Sequence, residues 1–340
     1  MITPMRTTDV SKCILCAEPG RFLYGRLRDR LFAVPGDWSI LQCPEPTCGL
    51  LWLNPVPVPE DIGEAYETYY THNVELRRAG ALRVFLDAAK RGYIANRYGY
   101  EASPIERVAG LLPWIYPGRV SELDFSVMWL EAGRRGRLLD VGTGSGWLVE
   151  HMRSLGWAAE GVDFDPRAVE RARSRGLNVA LGGLQEQRFP DESYDAVTMS
   201  HSIEHVHDPV GWLVEVRRVL KPGGRLALAT PNTRSLFHRR FGEHWFALDP
   251  PRHLHLFNRA ALDRALRRAG FERFRLFTSV RDAYGAFIRS SHIRKHGRHD
   301  MTARLPAAAR AIGRVAQLGE AARMLVDSDA GEDLVAVAER

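Results

Sequence analysis

Residues 138–148 read LLDVGTGSGWL, and this stretch decides the fold of the chain. It begins with apolar residues typical of a buried strand, passes through Gly142, Gly144 and Gly146, and ends in residues that continue at helical spacing. A strand that enters a glycine-rich turn and then a helix directs backbone N–H groups and the positive end of the helix toward a bound ligand. The stretch therefore predicts a nucleotide-type cofactor site in an α/β domain.

The spacing of the glycines narrows the class of cofactor. A dinucleotide fingerprint, G-x-G-x-x-G, would need its third glycine where this chain has Trp147. The sequence also lacks the G-x-x-x-x-G-K-[ST] run that holds a triphosphate. Asp140 completes the pattern D-x-G-x-G-x-G, which resembles motif I of class I S-adenosylmethionine (SAM) dependent methyltransferases. The resemblance implies that SAM is the cofactor and that the following residues bind it: Asp140, Gly142, Thr143, Gly144 and Gly146.

Further cofactor-binding residues are expected at the ends of the next strands. Asp163 follows an apolar strand about twenty residues beyond the first glycine, where an acid accepts hydrogen bonds from ribose hydroxyls. Phe164 is positioned to stack on the adenine face, and Gly183 and Leu184 to lie at the adenine edge. Ser200, at the end of the fourth strand, completes the predicted set.

The order of elements predicts the fold class. Apolar strands alternate with capped helices, which indicates a parallel, doubly wound α/β sheet. The segments DAVTMSHSIEHVHDP and KPGGRLALATPN resemble the ubiquinone-biosynthesis-like branch of O-methyltransferases. This resemblance covers about residues 136–280 and implies a Rossmann-like sheet of seven strands with the last one antiparallel.

Three regions are expected along the chain. Residues 1–58 form a zinc-ribbon-like segment, residues 59–135 a helical lid and linker region, and residues 136–340 the SAM-binding methyltransferase domain with a helical excursion at about 281–330. The proline-rich run 54–59 predicts a stiff linker without regular structure.

The four cysteines form two short-spaced pairs near the amino terminus: Cys13 and Cys16, and Cys43 and Cys48. Four thiolates at such spacing are typical of a closed tetrahedral zinc site, which predicts a structural zinc ion with no open position for catalysis. The alternative is four unligated thiols in a reducing compartment.

The catalytic residues are expected just after the fourth strand, and the candidates are His201, Glu204 and His205. Spacing of i, i+3 and i+4 predicts that all three lie on one face of a helical turn. One hypothesis makes His205 a general base oriented by Glu204. A second makes the three residues ligands of a divalent metal completed by His253 or His255, because the run resembles the E-x-x-E-H metal motif of small-RNA 2'-O-methyltransferases and ubiquinone-pathway enzymes. A third is a purely structural turn.

Two regions are expected to line the acceptor pocket. His244 and Trp245 lie in the loop after the fifth strand, and Tyr69 and Tyr70 lie in the helical lid region. For each aromatic residue, the alternative is ordinary packing on the core.

A basic segment, SSHIRKHGRHD, precedes an amphipathic helix with apolar residues from Leu305 to Leu325 on one face. We expect this face to pack on its own domain or on a second copy in a homodimer. Peripheral contact with a membrane is the alternative.

Composition limits the protein class. The 340 residues carry a net charge of +6, and 45% of them are hydrophobic, which is typical of a globular chain. The basic residues are spread rather than blocked, which argues against a nucleic-acid partner. The sequence shows neither a signal-peptide pattern nor an apolar run long enough to span a membrane, so we expect a cytoplasmic protein.

The sequence therefore predicts a SAM-dependent methyltransferase that acts on a small-molecule acceptor. A hydroxyl group, on a glycan, an envelope precursor or a secondary metabolite, is the expected methyl acceptor. Alternatives are a sugar C-methyltransferase, an RNA methyltransferase and a non-catalytic scaffold that binds SAM.

Overall fold

The computed structural model describes residues 5–66 and 81–340, so the predicted pocket residues Tyr69 and Tyr70 lie outside the described residues. The strands are β1 (Thr7–Thr8), β2 (Arg21–Leu27), β3 (Trp38–Gln42), β4 (Leu51–Asn54), β5 (Val56–Pro57), β6 (Arg137–Val141), β7 (Ala158–Asp163), β8 (Val179–Leu181), β9 (Tyr194–Ser200), β10 (Leu220–Pro231), β11 (His255–Leu256), β12 (Arg273–Ser279) and β13 (Asp333–Glu339). The helices are α1 (Ala81–Tyr98), α2 (Pro104–Ala109), α3 (Pro117–Ser126), α4 (Trp147–Ser154), α5 (Pro166–Ser174), α6 (Pro209–Val219), α7 (Leu236–Phe241), α8 (Arg259–Arg268), α9 (Ala283–His296) and α10 (Ala307–Met324).

The central sheet has seven strands in the order β12-β13-β10-β9-β6-β7-β8. β6 pairs in parallel with β7 and β9, and β7 pairs in parallel with β8. Two backbone hydrogen bonds show that β13 runs antiparallel to β10. Near the start of β10, the Gly223 N–H donates to the carbonyl of Arg340, just after β13. Just after the end of β10, the Asn232 N–H donates to the carbonyl of Glu332, just before β13. The predicted Rossmann-like sheet with an antiparallel last strand is confirmed.

Local sequence signals fix several helix starts. The Asp165 side chain accepts a hydrogen bond from the Arg167 N–H at the start of α5, with Pro166 at the first helical position. The Asn258 side chain accepts one from the Ala261 N–H at the start of α8. Both caps lie where short-range sequence patterns predict them.

The described chain divides into two compact units. The first unit, called the cysteine–histidine unit here, contains the described residues up to 66 with His201–Arg217 and Ala229–Ala336. It holds the antiparallel sheet β11-β4-β3-β2 and an apolar core that includes Trp38, Phe237 and Trp245.

The second unit, called the cradle unit, contains residues 81–200 as described, with Arg218–Leu228 and Val337–Arg340. It holds the helices α1–α5, the strands β6–β9 and the glycine-rich turn. Inside it, the Asp140 position of β6 lies opposite Thr198 of β9.

The proline-rich run 54–59 is not the unstructured linker that we predicted. β5 lies within it and pairs antiparallel with β1, so that Val56 faces Thr8. The Val58 N–H continues this pairing by donating to the Arg6 carbonyl at 3.0 Å. The residues between the prolines keep their N–H groups, so this short strand can still pair. Its partner, β1, lies almost 50 residues upstream, so a pattern within the run itself could not predict the pairing.

The excursion after β12 folds as two helices, α9 and α10, and the apolar face of α10 is exposed rather than packed on its own domain, while packing on a second copy stays a prediction. Gly313 of α10 lies so close to Ile288 of α9 that an added Cβ would approach its Cδ1 to 2.7 Å. The buried face also holds Gln317 and Glu320, whereas Val315 on the predicted packing face is exposed. The close approach that the glycine allows therefore turns this apolar face toward solvent. Among the described helices, none is long and apolar enough to cross a membrane.

Candidate active site

The glycine-rich turn of the cradle unit has the backbone geometry that its sequence requires. Gly142, Gly144 and Gly146 have φ values of +79°, +53° and +79°. A Cβ on Gly146 would approach Leu177 Cδ1 to 2.5 Å. Both this clash and the positive φ exclude other residues at this position. α4 begins at the next residue. The N–H groups of Gly142 and Thr143 donate to the Val162 carbonyl, and the Gly146 N–H donates to the Thr143 carbonyl, so internal hydrogen bonds fix the shape of the turn.

Asp163 ties this turn to the end of β7. Its Oδ2 accepts from the Gly144 N–H at 2.7 Å, and its Oδ1 accepts from the Asp165 N–H at 2.8 Å. Burial raises the pKa of Asp163, and these backbone donors oppose the rise. The Phe164 N–H also bonds to this carboxylate, which leaves about one of its four lone-pair positions for a ribose hydroxyl.

Asp140 has a different place in the same turn. It is buried, and its two oxygens accept from the hydroxyls of Thr143 and Thr198, each at 2.7 Å. Burial raises its pKa to about 6. Asp140 thus shapes the turn through Thr143, and a direct contact with cofactor stays a prediction.

The remaining predicted cofactor residues are divided between exposed and buried positions. Phe164 exposes 42% of its surface, which suits a ring that stacks on a base. Leu184 is fully buried, and Gly183 and Ser200 are partly exposed. Phe164, Gly183 and Ser200 are accessible to an adenosine-type ligand, whereas Leu184 is not, and contact of each with the cofactor stays a prediction.

The cysteine–histidine unit contains the second predicted site, and it differs from the expected helical turn. His201 comes directly after β9 with a φ of +51°, and only residues Ile203–His205 form a single 3-10 turn. The donor atoms of Glu204, His205 and His253 all lie within 4.8 Å of one another. His201 is outside this group. The prediction that His201, Glu204 and His205 share one helical face is therefore wrong.

Backbone carbonyls set the tautomers of both histidines. His205 Nδ1 lies 3.0 Å from the Arg252 carbonyl, and His253 Nδ1 lies 2.7 Å from the Ala247 carbonyl. Carbonyls only accept, so each Nδ1 carries the proton and each Nε2 presents a lone pair. Histidines that ligate metals are held in this way. The Tyr66 hydroxyl also lies 2.9 Å from His205 Nδ1.

Glu204 is a buried, ionised carboxylate beside these imidazoles. Burial alone would raise its pKa, but the hydrogen bond from His201 is the largest of the effects that lower the pKa to about 2. Its other oxygen accepts from the Thr230 hydroxyl at 2.9 Å. Burial lowers the pKa of His205 to about 4, which favours a neutral ring. One carboxylate and two imidazoles are a donor set that suits a first-row divalent metal.

His201 contacts the site through Glu204. Its Nδ1 lies 3.2 Å from Glu204 Oε1, and its Nε2 accepts from Arg281 Nη2 at 2.5 Å. Arg281 is held in turn by Asp333 at 2.7 Å. His201 therefore positions the carboxylate instead of adding a fourth donor.

A buried ion-pair triad fixes the loop that carries His253. The guanidinium of Arg252 and the carboxylate of Asp29 are both fully buried, with Nη1 and Oδ2 2.8 Å apart, and Arg252 also pairs with Asp249 at 2.5 Å. Arg252 Nη1 further donates to the Ala65 carbonyl at 3.2 Å. The amino-terminal segment is thus part of the scaffold of this site. The triad was not predicted, because its only local signal in the sequence is the position of Arg252 next to His253.

The four cysteines form one cluster, as predicted. All four Sγ atoms lie within 4.8 Å of one another, with Cys13 and Cys48 at 3.8 Å and Cys16 and Cys43 at 3.1 Å. Sulfur atoms around a tetrahedral zinc ion are separated by about 3.8 Å, given zinc–sulfur bonds of about 2.3 Å. The donor set and its compactness fit structural zinc.

The predicted pocket residues His244 and Trp245 differ in exposure. Trp245 is 2% exposed and lies in the core of its unit, where its indole N–H donates to Glu332 Oε1 at 2.5 Å. His244 is partly exposed at the end of a 3-10 turn. A role in acceptor binding stays a prediction for both.

Comparison with known proteins supports the interpretation of the turn. Residues 121–274 match a family model described as a methyltransferase domain. A ubiquinone biosynthesis O-methyltransferase from Xanthomonas oryzae pv. oryzae is 40% identical over 103 residues, which are 28% of this chain and 43% of the relative. A probable S-adenosylmethionine-dependent methyltransferase from Mycolicibacterium smegmatis is 31% identical over 155 residues, which are 44% of this chain and 54% of the relative. The chain thus spans about half the length of the curated relatives that it matches.

Solved structures that align with this chain were also found. A SAM-dependent methyltransferase from Archaeoglobus fulgidus aligns with a TM-score of 0.42 and 20% identity, covering 73% of this chain and 99% of that chain. The [4+2]-cyclase SpnF aligns with a TM-score of 0.46 and 21% identity, covering 84% of this chain and 97% of that chain.

Proposed function

We propose that this chain, which contains a class I methyltransferase domain, transfers the methyl group of SAM to a hydroxyl of a small-molecule acceptor. The observation that carries the proposal is the D-x-G-x-G-x-G turn, whose central N–H is bound by Asp163. The curated relatives that the chain resembles include a ubiquinone biosynthesis O-methyltransferase, which supports an oxygen atom as the methyl acceptor.

The cradle unit supplies the residues for the cofactor. Asp163 would accept a hydrogen bond from a ribose hydroxyl, and Phe164 would stack on the adenine face. The glycine-rich turn would lie against the amino-acid end of the ligand. The chemistry that SAM supplies when bound is an electrophilic methyl group on a sulfonium.

The group of Glu204, His205 and His253 is proposed to hold a divalent metal. Its support is the buried carboxylate and the two Nε2 lone pairs that backbone carbonyls orient. A metal held there would supply a positive charge that lowers the pKa of an acceptor hydroxyl. In the competing proposal, His205 Nε2 itself takes the acceptor proton, with its ring oriented by the Arg252 carbonyl rather than by Glu204.

Replacing Asp163 with asparagine tests the cofactor site. The change removes one charged acceptor while keeping the shape of the side chain, so we expect SAM to bind at least about tenfold more weakly. Isothermal titration calorimetry of the full chain measures this. Glu170→Gln, a change at an exposed position of the neighbouring helix α5, is the matched control and should bind as the parent does. Absence of SAM binding by the parent protein would overturn the cofactor assignment.

Zinc is proposed at the cysteine cluster, and Cys43→Ser tests it. Loss of one of four thiolates should abolish tight binding of one zinc ion per chain and lower the thermal midpoint of unfolding, since structural zinc contributes folding energy. Elemental analysis and thermal denaturation report the two effects. Thr47→Ala, beside the cluster but without a thiol, should retain the zinc. Equal metal content in both variants would contradict the proposal.

A further inference from the structure

Three residues next to the ends of different strands lie together beside the proposed metal group. His201 follows β9, Arg281 follows β12, and Asp333 begins β13. All three belong to the cysteine–histidine unit. A Cβ on Gly331, just before β13, would lie 2.9 Å from the backbone nitrogen of Ser279. The glycine therefore lets β13 start close to the end of β12, which brings Asp333 beside Arg281.

A series of hydrogen bonds, called the Arg281 network here, joins Asp333 through Arg281 and His201 to Glu204. Arg281 Nε donates to Asp333 Oδ2 at 2.7 Å, and Arg281 Nη2 donates to His201 Nε2 at 2.5 Å. His201 Nδ1 lies 3.2 Å from Glu204 Oε1. Asp333 is 1% exposed and Glu204 is fully buried. Both carboxylates at the ends of the network therefore depend on protein donors rather than on bulk water.

The Arg281 network determines which ring nitrogen of His201 carries the proton. A guanidinium only donates, so Nε2, which receives from Arg281, presents a lone pair. The ring proton is therefore on Nδ1, which donates it to Glu204. The other oxygen of Glu204 accepts from the Thr230 hydroxyl at 2.9 Å. With one donor on each oxygen, the orientation of this carboxylate is fixed.

Helix α10 holds the backbone that carries Arg281. The buried Gln317 side chain donates through Nε2 to the carbonyls of Val280 and Arg281, at 2.7 and 3.3 Å. The Arg281 N–H donates to Ser279 Oγ at 3.3 Å. The excursion between β12 and β13 is thus tied to the Arg281 network, although its sequence gave no sign of a connection to Glu204.

We propose that Arg281 and Asp333 are positioning residues of the metal group. Asp333 holds Arg281 against His201, and Arg281 keeps His201 in the tautomer that donates to Glu204. This inference deepens the proposed function, since it rests on the metal site that includes Glu204. Carboxylates that ligate metals are themselves held by hydrogen bonds, and the loss of such a partner typically weakens metal binding about 10- to 100-fold.

Nitrogen-15 NMR of the histidine rings in the full chain tests the tautomer without metal, cofactor or acceptor. We expect a His201 ring protonated at Nδ1 alone, with signals that are assigned by their absence from His201→Asn. In Arg281→Met, Nε2 loses its donor, so we expect the His201 signals to shift toward a ring protonated at Nε2 or at both nitrogens. Arg259→Met removes a comparable ion pair with Asp329, at 2.6 Å in the same unit, and should leave the His201 signals unchanged.

A second variant covers the case in which Arg281→Met does not fold because Asp333 keeps a buried charge. Asp333→Asn combined with Arg281→Met removes both charges and should change the His201 signals in the same way. A His201 ring protonated at Nε2 in the parent would overturn the proposal. Unchanged His201 signals in the folded variants would do so as well.

Titration of the zinc-loaded chain with Co²⁺ tests the consequence for the metal group. Arg281→Met should bind Co²⁺ at least about tenfold more weakly than the parent, with SAM affinity within about twofold. Combined with His201→Asn, it should bind no more weakly than His201→Asn alone, because Arg281 acts through His201. Additive losses would contradict a positioning role. A parent chain that binds no Co²⁺ would overturn the metal site itself, and the NMR result separates that failure from a failure of the Arg281 network.

Discussion

Replacing Asp29 with alanine will lower the free energy of unfolding by about 3 kcal/mol, the loss expected when a buried ion pair loses one partner. Arg252 is fully buried and donates to both oxygens of Asp29, at 2.8 and 2.9 Å. Without Asp29, its positive charge stays in the core with Asp249 as the remaining carboxylate partner. Urea denaturation followed by tryptophan fluorescence measures the change.

Asp37→Ala is the matched control for this prediction. Asp37 lies in the same amino-terminal segment and pairs with Arg28 at 3.1 Å, but both side chains are mostly exposed. An exposed pair of this kind contributes about 0–1 kcal/mol. If the two aspartate variants unfold with equal free energies, the buried triad does not stabilise the loop that carries His253.

Replacing His205 or His253 with alanine will reduce methyl transfer at least about a hundredfold while leaving SAM affinity within about twofold. Both imidazoles belong to the proposed metal group, and neither lies in the cradle unit. The measurements are release of S-adenosylhomocysteine with an acceptor that supports turnover, SAM titration, and content of divalent metal per chain. His296→Ala, an exposed histidine at the end of α9, should match the parent in all three.

The two single variants also separate the competing roles of His205. If the site is a metal centre, His205→Ala and His253→Ala should each lose both the metal and turnover. If His253→Ala keeps its turnover while His205→Ala loses it, and metal content is unchanged in both, then His205 acts as a base without a metal.

Features encoded by neighbouring residues were predictable from the sequence. The turn at Gly142–Gly146 and the caps Asp165 and Asn258 are fixed by residue types that few other local geometries allow. The cysteine pairs were predictable for the same reason, because closely spaced thiols in a short segment favour one shared site. In each case the contacts lie within a few residues or within one compact segment.

Features that depend on distant contacts were predicted in part or missed. Glu204 and His205 are close because they are neighbours, but the left-handed backbone of His201 ends β9 abruptly and removes that residue from the expected helical face. The choice between His253 and His255 depends on β11, which pairs with β4 about 200 residues upstream. Asp29 reaches Arg252 across an even longer separation, and no local pattern marks such a pair.

A crystal structure of the full chain with S-adenosylhomocysteine would show directly whether the glycine-rich turn binds the cofactor. We expect a ribose hydroxyl within hydrogen-bond distance of Asp163 and an adenine against Phe164, with the backbone of Gly142–Gly146 around the amino-acid end of the ligand. A ligand bound elsewhere, or a protein that binds none at saturating concentration, would contradict it.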